Sequence, residues 1–464
     1  MNVNHNVRTQ RGQQDLNRLI LAIACIINAL VAVNAALHNP FIGYDADNHL
    51  DYVSVLAVRL PTESDSLEYY SPPLPYFLPS LVFQLCESNT VTCKYVAGKF
   101  AQGINLLLSI VITVFLIKTA DLIRPKDQHF KIAVLIMFGI LTVYYKTFSQ
   151  VRGEPYVAFF EVLSIYLVLQ LAQTPEALTV KDGILPGICL GGLCLSRQFG
   201  FLLFPAIGCL VVLIVIWKKT LGLKYSGVIL CSIFVAFITC SWFYLYLHRT
   251  YGTFTPYAIR PREFSFSNQP LSFYRNTGIG NSLLFRSPTR KTFNNQFIPI
   301  FYSETWGDYW GYFVFRREGI LEYKSNQAAI NPYLGRVNLV SLIPSLIFAG
   351  GMIFGLRSLQ QSFNVANSSF ESRAFSFFVL IVLISLTGYL WYLLTYTMIP
   401  KGATIKATYM IQIFMVLPFL AANFLEKLRA IYPGLYSLSL ALILAVFVHN
   451  IPAMLTHYWR LQPY

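Results

Sequence analysis

The chain has 464 residues, of which 55% are apolar and 12% charged, with a mean hydropathy of +0.53. A soluble domain carries about a quarter charged residues, so a soluble enzyme of this length is excluded, and a bundle of membrane-crossing helices remains. The net charge of +14 is scattered over loops, which fits topology signals and phosphate handling and not nucleic acid.

The chain opens on a polar, basic lead, MNVNHNVRTQRGQQDLNR, followed by an apolar run from Leu19 to Ala36. A basic lead before an apolar core is also the pattern of a signal peptide. No small-x-small cleavage site follows and many more apolar runs do, so this run is expected to stay as the first span. Further spans are expected at 97–118, 132–148, 155–173, 184–196, 199–217, 226–247, 337–356, 374–397, 405–425 and 431–450, about eleven crossings in all. The fifth, ILPGICLGGLCLS, is short and glycine-rich and reads as broken or re-entrant. Two long segments interrupt the spans, 37–96 and 248–336. The chain therefore divides into an N-terminal membrane half (1–247) that contains the first long loop, a large loop (248–336), and C-terminal membrane helices (337–464).

Lys and Arg in short loops set orientation. With the N-terminus in the cytoplasm, the cytoplasmic side collects Arg8, Arg11 and Arg18, then Arg124, Lys126 and Lys131, Lys181, then Lys218, Lys219 and Lys224, then Arg357, Arg373, Lys427 and Arg429. Both long loops then lie outside. Of the eight cysteines, Cys25, Cys189, Cys194, Cys209, Cys231 and Cys240 sit in apolar runs as small hydrophobes. Cys86 and Cys93 flank the polar turn CESNTVTC, where an oxidising compartment would allow a disulfide.

The first long loop holds GYDADNHLDY, residues 43–52, with Asp45, Asp47, His49 and Asp51 in a chain of only 21 acids. One reading is structural: Asp45 or Asp47 caps a helix that begins near Asn48. The other is functional, because ionisable groups beside a bilayer mark sites. The loop continues as HLDYVSVLAVRLP, the acidic stretch TESDSLEYY, and the proline-broken, apolar SPPLPYFLPSLVFQL, suited to lying along the interface.

YDADNHLDYVSVLAVRLP followed by EYYSPPLPYFL resembles the first outer loop of GT-C class glycosyltransferases that use polyprenyl-phosphate sugars, among them the protein O-mannosyltransferase and aminoarabinose transferase relatives. Many members read Asp-Glu-x-x-His, then Tyr, Leu-Pro, and Pro-Pro-Leu-x-Tyr; here stand Asp45, Ala46, His49, Tyr52, Leu60-Pro61, Pro72-Pro73-Leu74 and Tyr76. The resemblance places the catalytic aspartate at Asp45. The usual glutamate is Ala46, which leaves the work open between Asp45 and Asp47. Shorter pieces extend the resemblance: Glu154 with Arg152 in SQVRGEP, Arg197 in LCLSRQFGFLLFPA, Trp306, Asp308, Tyr309 and Trp310 in SETWGDYWGYF, and Lys406 and Tyr409 in IKATYMIQIFMVLPFLAANFL. The arginine usual before that tyrosine is Thr408.

The resemblance implies an all-α GT-C-like bundle and an inverting transfer of sugar from a polyprenyl-phosphate donor to a glycan, lipid or protein acceptor. Asp45, Asp47 and Glu154 would be the catalytic acids, one of them the general base. Arg197 and Lys406 would hold the leaving phosphate. Trp306, Tyr309 and Trp310 would stack sugar rings, and His49, Arg152, Asp308 and Tyr409 would line the substrate site. Each has a plainer reading: Arg197 snorkelling, Lys406 anchoring a span end, the tryptophans in an interfacial belt, Glu154 favoured by a helix dipole, His49 structural. A metal between Asp45, Asp47 and Asp51 is chemically conceivable, but the resembling subfamilies mostly lack one, so neither metal nor cofactor is expected. The competing classes are a lipid-linked sugar flippase or other secondary transporter, then a surface-polysaccharide polymerase or ligase, then a receptor. Asn367-Ser368-Ser369 is the only Asn-x-Ser/Thr site with a permitted middle residue, and this topology places it in the cytoplasm. That leans toward a bacterial plasma membrane, or the endoplasmic reticulum in a eukaryote.

Overall fold

The computed structural model describes residues 2–280, 282–290, 292–314, 327–364 and 368–457, with side chains from residue 12 on and, in the helix that begins at Gln327, from residue 330 on. Asn367 lies outside the described residues. Among those residues every regular element is helical.

α1 (Asn2–Leu37) leads to the short helices α2 (Ala46–Leu56) and α3 (Leu74–Gln84), and α4 (Thr90–Ile123) runs back. α5 (Gln128–Gly139) and α6 (Thr142–Phe148) form one path bent by 65°. α7 (Glu154–Gln173), α8 (Ile184–Cys194), α9 (Leu203–Trp217) and α10 (Lys219–Tyr251) follow. The large loop carries α11 (Leu271–Arg275) and α12 (Phe297–Trp306). α13 (Gln327–Val340), α14 (Leu342–Ser362), α15 (Phe370–Thr395), α16 (Ile411–Ile431) and α17 (Pro433–Met454) complete the bundle.

Among the described residues, nine stretches are long and apolar enough to cross a membrane, ten if α5 and α6 are one span. This is a multi-pass membrane protein. Large apolar side chains left outside the bundle, such as Leu21, Phe234, Leu346 and Leu444, are 63–70% exposed, as hydrocarbon contact requires. The remaining expected crossing, the fifth, is α8. Its 11 residues reach about 16 Å at 1.5 Å each, short of the roughly 30 Å core. Its glycines do not break it. A Cβ at Gly187 or Gly191 would meet Val235, Thr239 and the backbone of α10 at 2.5–3.1 Å, so these small residues let two helices approach closely.

The expected span 132–148 is present but bent at Leu141, which is extended (φ -75°, ψ 99°). Tyr145 Oη donates to the Gly139 carbonyl at 2.6 Å, satisfying a group that the break frees. Beyond the bend, buried amides of α4 hold the turn that follows α6. Gln102 Nε2 donates to Ser149 O at 2.7 Å, and Asn105 Nδ2 donates to Phe148 O and Gln150 O at 3.1 and 2.9 Å. That turn leads into Arg152 and Glu154.

One end of the bundle gathers both long loops, as contacts between Asp45 and Lys406, Glu68 and Arg197, and Trp310 and Ile405 show. The Cys86–Cys93 disulfide closes there too, and α3 leaves Phe77, Leu78 and Leu81 exposed. The opposite end holds the Lys/Arg-rich short connections, joined by Arg124 donating to Glu371 and Asn423 and by Arg373 stacked 3.8 Å over Trp217.

Candidate functional site

Asp45 stands immediately before α2 with φ 54° and ψ 30°. This left-handed conformation is uncommon outside glycine, and Asp and Asn tolerate it through local polar contacts. The expected capping role is not played: the Asp45 side chain makes no cap hydrogen bond. Its carboxylate instead accepts from Lys406 Nζ at 2.7 Å, across 361 residues of sequence. The Asp45 side chain is 47% exposed, that of Lys406 11%. The Lys406 ammonium holds the Asp45 carboxyl well below the usual carboxylate range.

Lys406 is fixed from several directions. Its backbone N–H donates to Tyr389 Oη at 2.8 Å. The carbonyl before it, of Ile405, accepts from Trp310 Nε1 at 2.9 Å. Its ammonium lies 5.1 and 5.3 Å from the ring centres of Tyr44 and Tyr409, which also flank the Arg152 guanidinium at 5.2 and 5.6 Å. Burial works against the Lys406 charge, but Tyr409 and Asp45 keep its pKa above the ordinary lysine value.

Behind Asp45 lies a buried chain of charge. Glu154 receives Arg152 in a two-pronged contact at 2.5 and 2.8 Å and Arg197 at 3.4 Å. Arg197 reaches the other way to Glu68 at 2.9 Å and Ser71 Oγ at 2.7 Å. Ser71 donates to the same Glu68 carboxylate at 2.5 Å. Burial pushes the Glu68 carboxyl up, but His49, Arg197 and Ser71 bring it down to about 2. Gly153 lets this chain close, because a Cβ there would run into the Ser196 carbonyl and the Arg197 side chain.

The sequence-derived candidates separate in space. Asp45, Lys406, Arg152, Tyr409, Glu154 and Arg197 converge. Glu154 is fully buried and holds two arginines, Arg152 and Arg197. Asp47 is exposed; desolvation and the charge of Asp51 raise its carboxyl. Asp51 pairs with Lys94, so the three aspartates do not converge. Among the described residues no group of three or more His, Cys, Asp or Glu is placed to hold a metal. His49 is an interior group: burial lowers its pKa to about 4, and Nδ1 lies 2.9 Å from Tyr76 Oη.

The SETWGDYWGYF residues pack inward. Trp306, Tyr309 and Trp310 are buried, and Asp308 accepts the backbone N–H groups of Tyr312, Phe313 and Val314 at 3.1, 2.7 and 2.7 Å. They form a buried knot in which Trp310 Nε1 holds the Ile405 carbonyl, next to Lys406. Three members of the site were missed in the sequence: Glu68, Ser71 and Tyr44. Glu68 lies in the acidic stretch, but nothing in that stretch separates it from exposed Glu63.

A cavity of about 240 Å³ adjoins Arg197, walled by Tyr70, Tyr257, Trp391, Tyr392 and Tyr409. Trp391 is 49% exposed on a helix long and apolar enough to cross a membrane, so one wall of the cavity reaches the outer surface of the bundle.

No family model matches the chain, and no curated protein does. Among solved structures it is similar to the Archaeoglobus fulgidus oligosaccharyltransferase tethered to an acceptor peptide containing the NVT sequon, at 13% identity and a TM-score of 0.46 over 94% of this chain and 54% of that one. It is likewise similar to the archaeal oligosaccharyltransferase AglB from Archaeoglobus fulgidus in complex with an inhibitory peptide and a dolichol-phosphate (12%, 0.48, 94% and 55%). The third is arabinosyltransferase EmbB from Mycobacterium smegmatis (12%, 0.36, 93% and 40%). The chain spans about half the length of the two oligosaccharyltransferase chains and 40% of the arabinosyltransferase. At these scores the likeness carries no argument about function.

Proposed function

We propose that the protein is a membrane glycosyltransferase that moves a sugar from a polyprenyl-phosphate donor to an acceptor hydroxyl or amine, with Asp45 as general base. The observation that carries this reading is the placement of Asp45: a half-exposed, uncapped carboxylate in a left-handed turn, on a lysine, near buried Arg152, which shares Glu154 with Arg197. The first-loop resemblance supports it. So does a cavity that runs from half-exposed Trp391 to Arg197, where a polyprenyl chain would lie with its phosphate toward the cations.

The acceptor oxygen or nitrogen attacks the anomeric carbon. The bond from that carbon to the phosphate oxygen breaks, the electron pair leaves with the lipid phosphate, and Asp45 takes the acceptor's proton. A single displacement of this kind inverts the anomeric centre. Arg152, Arg197 and Lys406 face Glu154, Glu68 and Asp45, so the cluster is balanced without donor. Lys406 is the cation that phosphate recruits most easily, because its acid is exposed while those of the arginines are buried. A phosphate that draws Lys406 away, and adds its own negative charge, restores basicity to Asp45. The site faces away from the cytoplasm, in keeping with the Lys/Arg-rich opposite end. A bacterial plasma membrane is the expected location.

The test is incubation of purified protein with radiolabelled polyprenyl-phosphate sugars and membrane extracts. Label should move to an acceptor with wild type and not with Asp45→Asn; intact donor throughout the panel sinks the reading. Cysteine labelling in intact cells should be strong at Gly280→Cys and absent at Leu221→Cys, and the reverse removes the outward-facing site. One observation favours a transporter: Glu161, inside α7, is fully buried with neither carboxylate oxygen partnered. A transporter would move lipid-linked sugar across vesicles with the sugar–phosphate bond unbroken.

A further inference from the structure

Residues 249–275 leave the last turn of α10 and carry large apolar side chains on their surface. Phe254, Phe264, Phe266 and Leu271 are 50%, 51%, 59% and 60% exposed. Exposed Arg260, Arg262 and Arg275 lie among them, against the one acid Glu263. The segment is tied down at a definite depth. Arg262 N–H donates to Thr395 O at 2.8 Å, Asn268 Nδ2 to Leu394 O at 2.8 Å, and Gln269 Nε2 to Leu393 O at 2.7 Å. These are successive carbonyls of the last turn of α15, which have no partner within the helix. The segment is therefore level with the ends of α10 and α15, where two spans leave the hydrocarbon. Its Thr255 and Tyr257 also wall the cavity.

We propose that this segment is an interfacial collar that binds anionic lipid headgroups at the cavity mouth. Aromatic side chains at the level of span ends settle among headgroups, and each arginine close to an anionic surface multiplies affinity by about fivefold. Position beside the apolar exterior favours lipid over a protein partner: half-exposed Trp391 on α15, and Ile399 just after it, also 49% exposed, flank the carbonyls of α15 that hold the collar.

The experiment places p-azidophenylalanine at position 264 or 266 of the full chain in nanodiscs of phosphatidylcholine and phosphatidylglycerol. Adducts formed on illumination are weighed, with position 391 as the lipid-facing control. Lipid adducts are expected at 264 and 266, with the ratio of phosphatidylglycerol to phosphatidylcholine raised about tenfold or more over its bulk value. Combining Arg260→Gln, Arg262→Gln and Arg275→Gln should return that ratio to the bulk value while the 391 adduct persists, showing an intact fold. Adducts confined to solvent, or to a co-purified polypeptide, overturn the collar. A headgroup ratio that the three substitutions leave unchanged overturns anionic recognition. No readout uses sugar transfer, so failure here leaves the role of Asp45 untouched.

Discussion

Asp45→Asn tests the proposed chemistry most directly, because the structure lets chemistry and stability be separated. The substitution removes the carboxylate and keeps size and tolerance of the left-handed backbone. No cap bond is lost, since none exists. The ion pair to Lys406 is lost, but with one partner 47% exposed such a pair is worth about 0–1 kcal/mol. Thermal stability in detergent should therefore barely move. Turnover should fall about a hundred- to ten-thousand-fold, the usual worth of general-base assistance. Asp45→Ala should lose the same activity and, in addition, roughly 1–2 kcal/mol, because alanine resists the left-handed region. The assay is label transfer from polyprenyl-phosphate sugar, run beside thermal denaturation of the same preparations. An active Asp45→Asn enzyme with a dead Asp47→Asn would move the base one turn position along; activity in both would remove the mechanism.

Lys406→Met should raise the apparent KM for donor by about tenfold to a hundredfold, the worth of a charged hydrogen bond. The acid limb of its pH–rate profile should shift upward, because the Asp45 carboxyl is no longer held down; an unshifted limb separates Asp45 from the rate. Glu68→Gln strips Arg197 of its nearer buried acid, and losing one partner of a buried pair costs about 3 kcal/mol or more, which denaturation would reveal as a large drop. Gly153→Ala should displace Arg197 and weaken donor binding, and an unchanged KM would show that the close approach is dispensable. Burial lowers both His38 and His49 to about 4. The unfolded chain protonates near 6.5, so it binds more protons than the folded chain from there down to about 4 and stability falls as pH drops through that window. At pH 5 each histidine should cost about 2 kcal/mol relative to neutral pH, measurable as a falling denaturation midpoint; a flat profile refutes the buried neutral state.

The residues alone determine a good deal here. Runs of apolar side chains are local, so the spans, the two long loops and the charge asymmetry between ends can be read directly. The shortness of α8 showed in the same way, but the bend at Leu141 did not, because the path from Ile132 to Phe148 is mostly apolar and free of proline. Local pattern also marked Asp45, but two readings of it were equally local, cap or base. What separates them is a lysine 361 positions away, and distance of that kind exists only once α2 and the start of α16 share one end of the bundle. The same holds for Glu68, which is unremarkable in its own segment and becomes the buried partner of Arg197 through tertiary contact. Aromatic and acidic residues in SETWGDYWGYF looked like a sugar surface by type. Their burial, with Trp310 on the Ile405 carbonyl next to Lys406, is what sequence cannot assign to a tryptophan beside a membrane.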